Sequence, residues 1–229
     1  MSKRLVISFH GIGEPTRWTD EAERRHWCSE GEFVSIIDSI PQVATEAGIP
    51  IEITFDDGYA SDVLLAAPAL QKRGLTATFF VCAGRIGKPG YLDTYQLRSL
   101  ASAGMSIGSH GWDHVDWRVT RNEVAFDREI VGARKFIEDT LSAGPIDSVA
   151  IPFGSYDRRV MRAVTRAFSV VYTSDVGLAS IGGKTVPRET YKSPQWGANT
   201  LRTLAAPRTS LKSIRQSLAM TYKRYRGPP

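Results

Sequence analysis

Two short segments carry most of the side chains that could perform chemistry. They lie about fifty residues apart and read Thr-Phe-Asp-Asp-Gly-Tyr at 54–59 and Ser-His-Gly-Trp-Asp-His at 109–114. Together they supply adjacent carboxylates, Asp56 and Asp57, and two imidazoles, His110 and His114. This mixture of oxygen and nitrogen donors suits a divalent metal such as zinc, and such an ion with an open position activates water for hydrolysis. One carboxylate would remain free as a base.

Each segment has a functional and an ordinary interpretation. Two carboxylates side by side in a poorly solvated site raise one another's pKa. A cation bound at Asp57 would offset this repulsion and leave Asp56 able to take a proton from water. Asp-Asp-Gly-Tyr is equally a composition typical of a plain turn. His110 and His114 would share one face of a helical turn or converge in a tight loop, whereas a lone histidine is more often a structural group.

Two further positions could complete such a site. His10 follows an apolar run and could act as a general acid, since the histidine pKa lies near neutrality. The Pro152-Phe153-Gly154 run could present a backbone N–H to a developing oxyanion, or it could be a simple turn between a strand and a helix.

The elements that must position these residues alternate in type. Strands are predicted over residues 5–9, 51–55, 76–81, 105–107, 148–151 and 169–172, and helices over residues 33–44, 63–70, 92–103, 120–141, 157–168 and 210–222. Repeated strand–helix units predict an α/β fold with a parallel sheet, either doubly wound or closed as a barrel. Polar residues at the carboxyl ends of its strands would then gather in one place.

Two segments do not fit this alternation. Residues 11–31 are rich in charge and tryptophan, and residues 176–207 are rich in Gly, Pro, Ser and Thr. Long loops inside compact domains are often functional, so both are interpreted as rims of a cleft, unless they hold short elements without a sequence pattern. The length of 229 residues fits one catalytic domain over 1–229.

Composition limits the other possibilities. The formal charge of +5 is spread along the chain, and its one dense basic cluster is Lys223-Arg224-Tyr225-Arg226, which predicts a solvated tail or weak contact with an anionic membrane surface rather than nucleic-acid binding. No run approaches the roughly 18 apolar residues that span a bilayer, and residues 5–9 form too short an apolar stretch for a signal peptide. We therefore expect a cytoplasmic protein. The two cysteines, Cys28 and Cys82, lack a metal-type or redox-type spacing.

The combined motifs resemble the polysaccharide deacetylases, the carbohydrate esterase family 4 group named for the NodB homology domain. The matching runs are residues 54–59, Ser-His-x-x-x-His at 109–114 and Ile-Pro-Phe-Gly-Ser-Tyr-Asp at 151–157, and the resemblance extends over residues 5–190. It implies an irregular (β/α) barrel of about seven units. It also implies that Asp57, His110 and His114 hold a divalent metal, most often zinc, with cobalt, nickel or manganese as alternatives.

The activity implied is hydrolysis of the N-acetyl group of an amino sugar in a saccharide or glycoconjugate. Asp56 would be the base, and the backbone N–H at Phe153 would stabilise the oxyanion. The family's arginine before the third motif is replaced here by Ala150, and Arg188 is the candidate to orient Asp56 instead. No histidine follows His114, so His10 becomes the expected acid, as in exopolysaccharide-type members with an N-terminal acid histidine. Gly111 replaces the family's usual hydroxyl residue.

Aromatic residues near the expected cleft could stack on sugar rings. Trp112 is the first choice because it lies between the two histidines, and Tyr156 and Trp196 follow. Two alternatives to the amino-sugar deacetylase stay open at this point. One is a hydrolase of a non-sugar amide or cyclic amide on the same barrel, suggested by the change to Ala150. The other is a carbohydrate-binding relative that has lost catalysis.

Overall fold

A curved, mostly parallel sheet with helices packed outside it forms the framework of the protein. The computed structural model describes residues 2–15, 21–142, 144–192, 196–206, 218–223 and 225–227. In these ranges the sheet has nine strands: β1 Lys3–Phe9, β2 Ile51–Asp57, β3 Ala77–Val81, β4 Ser106–Ser109, β5 Ser148–Ala150, β6 Val170–Thr173, β7 Ala179–Ser180, β8 Thr185–Pro187 and β9 Glu189–Thr190.

Up to residue 206 the described ranges contain eight α-helices, of which four begin at a described side-chain N-cap. The eight helices are α1 Glu21–Arg24, α2 Glu30–Ala47, α3 Ala67–Gln71, α4 Thr94–Ser102, α5 Glu123–Asp127, α6 Ala133–Leu141, α7 Arg158–Ala167 and α8 Ala198–Ala205. Capping boxes formed by Ser29 with Glu32 and by Asp93 with Gln96 start α2 and α4. Single π-helical turns, Asp62–Ala66 and Arg128–Gly132, lead into α3 and α6.

The sheet closes on itself through a short interrupted strand. β1 to β6 pair in parallel in sequence order, β8 pairs in parallel with β6, and β9 pairs in parallel with β1. Because only Arg188 separates β8 from β9, this stretch joins the first and last strands. With β8 and β9 taken together, seven parallel positions form a nearly closed barrel, which confirms the expected irregular (β/α) barrel. β7 adds an antiparallel edge to β1.

Alternation along the strands separates two cores. Side chains that point outwards, such as Ile7, Phe9 and Phe55, pack against buried residues of α2 and the other helices. Side chains that point inwards form a smaller apolar cluster around Val6 and Phe80. Ser8, Thr54 and Asp56 share the inward alternation at the carboxyl end of the barrel, where they are buried polar residues. The barrel interior is therefore apolar along part of its length and polar next to the cleft.

The main departures from the predicted elements lie in the segments without periodicity. Residues 11–31 contain α1 and a bridge between Ile12 and Cys28, and residues 176–207 contain β7, β8, β9 and α8. Strands of two or three residues leave no alternation to detect. The predicted strand over 51–55 continues through Asp57, because both aspartates pair with β3, so they lie on β2 and not after it.

Two of the predicted helices agree with the described structure over part of their length. The helix expected over residues 120–141 begins at Glu123 and is interrupted by the π-helical turn. The helix expected over residues 210–222 lies largely outside the described residues, although residues 218–223 are helical. Among the described residues, no helix has the length and apolar character required to cross a membrane.

Candidate active site

The carboxyl ends of the parallel strands open into a cleft of about 800 Å³. Its walls come from the ends of β1, β2, β4 and β5, from the segment around α1, and from the stretch between Val176 and Leu204. Both segments that lack periodicity therefore line the cleft, as their interpretation as rims predicts. All four histidines of the chain, His10, His26, His110 and His114, also line it.

The three expected metal ligands converge at the floor of this cleft. Their donor atoms all lie within 4.8 Å of one another. Asp57 Oδ1 lies 3.4 Å from His114 Nε2 and 4.0 Å from His110 Nε2. One carboxylate and two imidazoles at such separations can bind one divalent ion and leave coordination positions open on the cleft side, so the donor set fits a catalytic metal.

Backbone geometry brings these donors together. Asp57 and His114 adopt positive φ angles of 80° and 57°, a region that non-glycine residues rarely occupy. Such conformations cost free energy and persist only where the surrounding structure enforces them, and they concentrate at functional sites. The neighbouring Gly58 and Gly111 also have positive φ, at 74° and 85°. Both ligand-bearing turns are therefore tightly bent.

The surroundings of His110 and His114, the two expected ligand histidines, suit neutral imidazoles that can bind a metal. His110 Nδ1 donates to the carbonyl of Ala150 over 2.8 Å, which fixes the ring and leaves Nε2 as the free nitrogen. Burial lowers the pKa of both imidazoles, and that of His114 falls to about 4. Both are therefore neutral near pH 7. Burial alone would raise the pKa of Asp57, but His114, His10 and Arg85 hold it well below its usual range.

Arg188 binds Asp56, the expected base. Its Nη1 and Nη2 donate to Asp56 Oδ1 and Oδ2 over 2.6 and 2.8 Å, and both side chains are almost fully buried. Nη1 also reaches the hydroxyl groups of Ser8 and Thr54 at 3.3 and 3.2 Å. Burial alone would raise the pKa of Asp56, but the nearby guanidinium outweighs it, so the pKa lies below the usual value. Asp56 is thus held ionised in one orientation.

His10 stands at the end of β1, on the same cleft. Its ring centroid lies 4.8 Å from that of His26, whose Nδ1 donates to the carbonyl of Tyr191 over 3.2 Å. Among the described residues, His10 Nδ1 is buried without a hydrogen-bond partner. Burial lowers the pKa of His10 even though Asp57 and Asp56 raise it. The position is compatible with proton transfer to a group in the cleft.

The aromatic candidates divide between the cleft and the protein body. Trp196 lines the cleft and contacts Tyr191 edge-on, with ring centroids 5.8 Å apart. Phe153 is 64% exposed at the rim, and its ring lies 4.4 Å from that of His114. Trp112 does not line the cleft, because its ring packs on Phe136 beneath the Arg128 guanidinium.

Tyr156 does not reach the cleft either. It is fully buried, and its hydroxyl group bonds to Asp175 Oδ2 at 2.5 Å. The structure therefore brings one of the three aromatic substrate-binding candidates, Trp196, to the cleft and leaves Trp112 and Tyr156 outside its walls.

Sequence reasoning missed several charged groups of the cleft, among them Arg85 and Glu23. Arg85 Nη1 donates to Asp57 Oδ1 over 2.7 Å, and its guanidinium lies 5.1 Å from the ring centroid of Tyr91. Its place shortly after β3, at the carboxyl end of a strand, was a usable signal. Glu23, in α1, accepts a hydrogen bond from the Tyr59 hydroxyl group over 2.6 Å, and the charged sequence around it carries no periodic pattern that could have identified it.

The nearly closed α/β barrel with a carboxylate–histidine centre at its carboxyl end defines the class of protein. A sequence profile of the family described as "Polysaccharide deacetylase" matches residues 44–171, more than half of the chain. The chain belongs to the polysaccharide deacetylase family, as the motif resemblance indicates.

Individual proteins resemble the chain in sequence or in fold. The chain is 30% identical over 129 residues to YxkH of Bacillus subtilis, a protein named for the same family; the match covers 56% of this chain and 46% of YxkH, so the chain spans about half the length of that relative. A polysaccharide deacetylase from Bacillus cereus superposes with a TM-score of 0.75 at 18% identity, over 89% of this chain and 69% of the other.

Two further structures extend the comparison of the fold. The Streptococcus pyogenes deacetylase PplD, in complex with acetate, gives a TM-score of 0.74 at 20% identity, over 90% of this chain and 99% of PplD. IcaB from Ammonifex degensii gives 0.65 at 22% identity, over 96% of this chain and 97% of IcaB. At these identities the likeness establishes a shared fold.

Proposed function

We propose that the protein is a metal-dependent hydrolase that removes N-acetyl groups from an amino-sugar-containing saccharide or glycoconjugate. The observation that carries this proposal is the pairing of Asp56 with Arg188 directly beside the converging donors of Asp57, His110 and His114. An ionised, oriented carboxylate next to a three-donor centre is the arrangement that hydrolysis by an activated water needs. The family assignment supports the same chemistry.

Asp57, His110 and His114 would hold the metal, and zinc is the first expectation, with cobalt, nickel or manganese as alternatives. Such an ion supplies Lewis-acid polarisation of an amide carbonyl and acidifies water. Asp56 then accepts a proton from the attacking water, because Arg188 fixes both of its oxygens and keeps it ionised.

The remaining steps fall to residues on the other walls of the cleft. The backbone N–H of Phe153, in the turn after β5, would donate to the oxyanion of the tetrahedral intermediate. His10 would give its proton to the amine as the carbon–nitrogen bond breaks, so that acetate and a free amino sugar leave. Trp196 and the exposed ring of Phe153 offer apolar faces for a sugar ring at the rim.

Acetate release from a panel of N-acetylated sugars and non-sugar amides, with zinc or cobalt restored after chelation, tests the proposal. D56N should retain metal and lose about 10²–10⁴-fold in turnover, whereas H110A should lose both metal and turnover. D113N is the matched control, since Asp113 is an exposed carboxylate in the same loop that pairs with Arg128. Full activity in D56N would exclude Asp56 as the base.

The same panel separates the alternatives. Preference for a non-sugar amide or cyclic amide would favour the second hydrolase hypothesis, and sugar binding without acetate release would favour a non-catalytic relative. The single catalytic domain over 1–229, the cytoplasmic location and the membrane contact through residues 223–226 remain predictions. Arg224 of that cluster lies outside the described residues.

A further inference from the structure

A buried carboxylate outside the cleft holds the loop that carries both ligand histidines. Glu129 lies in the π-helical turn Arg128–Gly132 and is 4% exposed. Single π-helical turns inside α-helices occur frequently at functional sites. Here the turn interrupts the helical run between α5 and α6 at the point where Glu129 meets the loop.

Glu129 accepts three hydrogen bonds, all from this loop. The backbone N–H of Trp112 and the indole Nε1–H of Trp117 donate to Oε2 over 2.9 and 3.1 Å, and the backbone N–H of Asp113 donates to Oε1 over 2.9 Å. Trp112 and Asp113 are the residues immediately before His114. The carboxylate therefore binds the backbone between the two expected ligands.

The opposite side of the loop backbone is bound by the segment after β3. The carbonyls of Gly111 and Trp112 accept from the N–H groups of Ala83 and Gly84, each over 2.9 Å. With Glu129, these bonds fix the loop backbone from both sides. Because these bonds restrain the backbone just before His114, the positive φ of His114 is held in place by the surrounding structure.

Gly111 makes this arrangement possible. A Cβ at this position would stand 2.8 Å from Glu129 Oε2 and 2.9 Å from Trp117 Cζ2, and the φ of +85° disfavours any other residue. The glycine is therefore required by the close approach of the carboxylate. It accounts for the absence of the hydroxyl residue expected at this position in the family.

We propose that Glu129 is a positioning residue of the metal centre: by accepting three hydrogen bonds from residues 112–117, it sets the turn that directs His114 towards His110 and Asp57. This inference rests on the proposed function, because it assumes that these three residues bind a metal. Partners of this kind, behind the ligands, commonly change metal affinity by 10–100-fold when they are replaced.

The test measures cobalt and zinc affinity directly, by competition with a chelating dye, together with the visible spectrum of bound cobalt. E129Q keeps the shape of the side chain but replaces one acceptor oxygen by an NH₂ group that faces a donor. We expect its affinity to fall by about 10–100-fold and the cobalt spectrum to change. E138Q is the matched control, because Glu138 accepts from Arg134 and the N–H of Ile146 away from the cleft.

A second variant keeps the inference testable if E129Q folds poorly. G111A places a methyl group against Oε2 and should also weaken metal binding by at least about tenfold. If both changes act by moving the same loop, the double variant will be only slightly weaker than the worse single one. Circular dichroism in the presence of chelator verifies that each variant is folded.

The outcomes separate the two proposals. If the unaltered protein binds cobalt and folded E129Q binds it equally tightly, the inference about Glu129 is wrong while the proposed function stands. If the unaltered protein binds neither cobalt nor zinc, the metal-dependent function is wrong and the inference fails with it.

Discussion

The ligand half of the cleft and its acid–base half are held in place by different parts of the chain. The ligand half is Asp57, His110 and His114, which lie on β2 and after β4, with only β3 between those strands. The His110 ring is fixed by the carbonyl of Ala150, and the loop before His114 is fixed by Glu129. These contacts are present as soon as β2 to β5 and the following helices are assembled.

The acid–base half is Asp56, Arg188 and His10, and it exists only when the barrel closes. Arg188 lies between β8 and β9, and its bond to Asp56 spans 132 residues of chain. His10 directly follows β1, the strand beside β9. The proposed function then implies that closure of the barrel governs proton transfer, whereas metal binding depends on the central strands.

Replacing Arg188 should give the largest separation of the two halves. R188M leaves the Asp56 carboxylate buried without its partner, which costs about 3–5 kcal/mol of unfolding free energy, raises the pKa of Asp56 and reduces turnover. Metal affinity of the folded variant should change little. Urea unfolding and cobalt titration measure both quantities, and R73M, which breaks an exposed ion pair with Asp38, is the control. Loss of metal binding in folded R188M would contradict the separation.

His10 tests the acid–base half without disturbing a buried ion pair. H10Q should lower turnover by about 10²–10³-fold and leave metal affinity unchanged. An acid works only when protonated, and burial lowers the pKa of His10, so activity of the unaltered protein should decline as pH rises through that lowered pKa. The alkaline decline should be absent from the residual activity of H10Q. A pH profile with the same decline in both proteins would assign the acid to another group.

The difference between the halves also explains how much the sequence predicts. Asp57, His110 and His114 belong to compact motifs after apolar runs, so their meeting follows from parallel strand order. The barrel was predictable from alternating elements together with those motifs. The partnership of Arg188 with Asp56 was expected only through the missing arginine at Ala150, because two-residue and three-residue strands around it carry no periodic pattern. His26, in a charged loop, gave no signal of its position beside His10.

Trp112 and Glu129 show a second limit of prediction from the sequence. The sequence predicted that Trp112 would face the substrate, because histidines flank it. The bend at Gly111 and His114 instead places its ring against Phe136 of α6. Sequence proximity to a ligand does not determine which way a side chain in a tight loop points. Glu129 lies in a long helical pattern, where neither the π-helical turn nor a three-bond contact with a distant loop leaves a periodic trace.

Acid stability offers a smaller effect that belongs to the ligand half. The pKa of His114 is lowered to about 4 in the folded protein, against about 6.5 in the unfolded chain. Between these two pH values the unfolded chain binds more protons than the folded protein. The contribution of His114 to the free energy of unfolding is therefore fully present above pH 6.5, and it falls by about 3 kcal/mol as the pH drops to 4. Urea unfolding with chelator present measures it. H114Q should show a shallower slope, and an unchanged slope would mean that His114 is not buried as a neutral ring.

The smallest expected effect concerns substrate binding at the rim, for which replacements of Trp196 and of Trp112 should give different results. Trp196 lines the cleft beside the acid–base half, so W196L should raise the KM for an oligosaccharide by about tenfold, or 1.4 kcal/mol, without changing metal affinity. Trp112 packs on Phe136 outside the cleft, so the matched W112L should leave KM within about twofold. Steady-state kinetics on both variants decide between them. A rise in KM for W112L alone would show that substrate reaches the side of the loop that faces α6, and that the sugar does not bind beside the acid–base half.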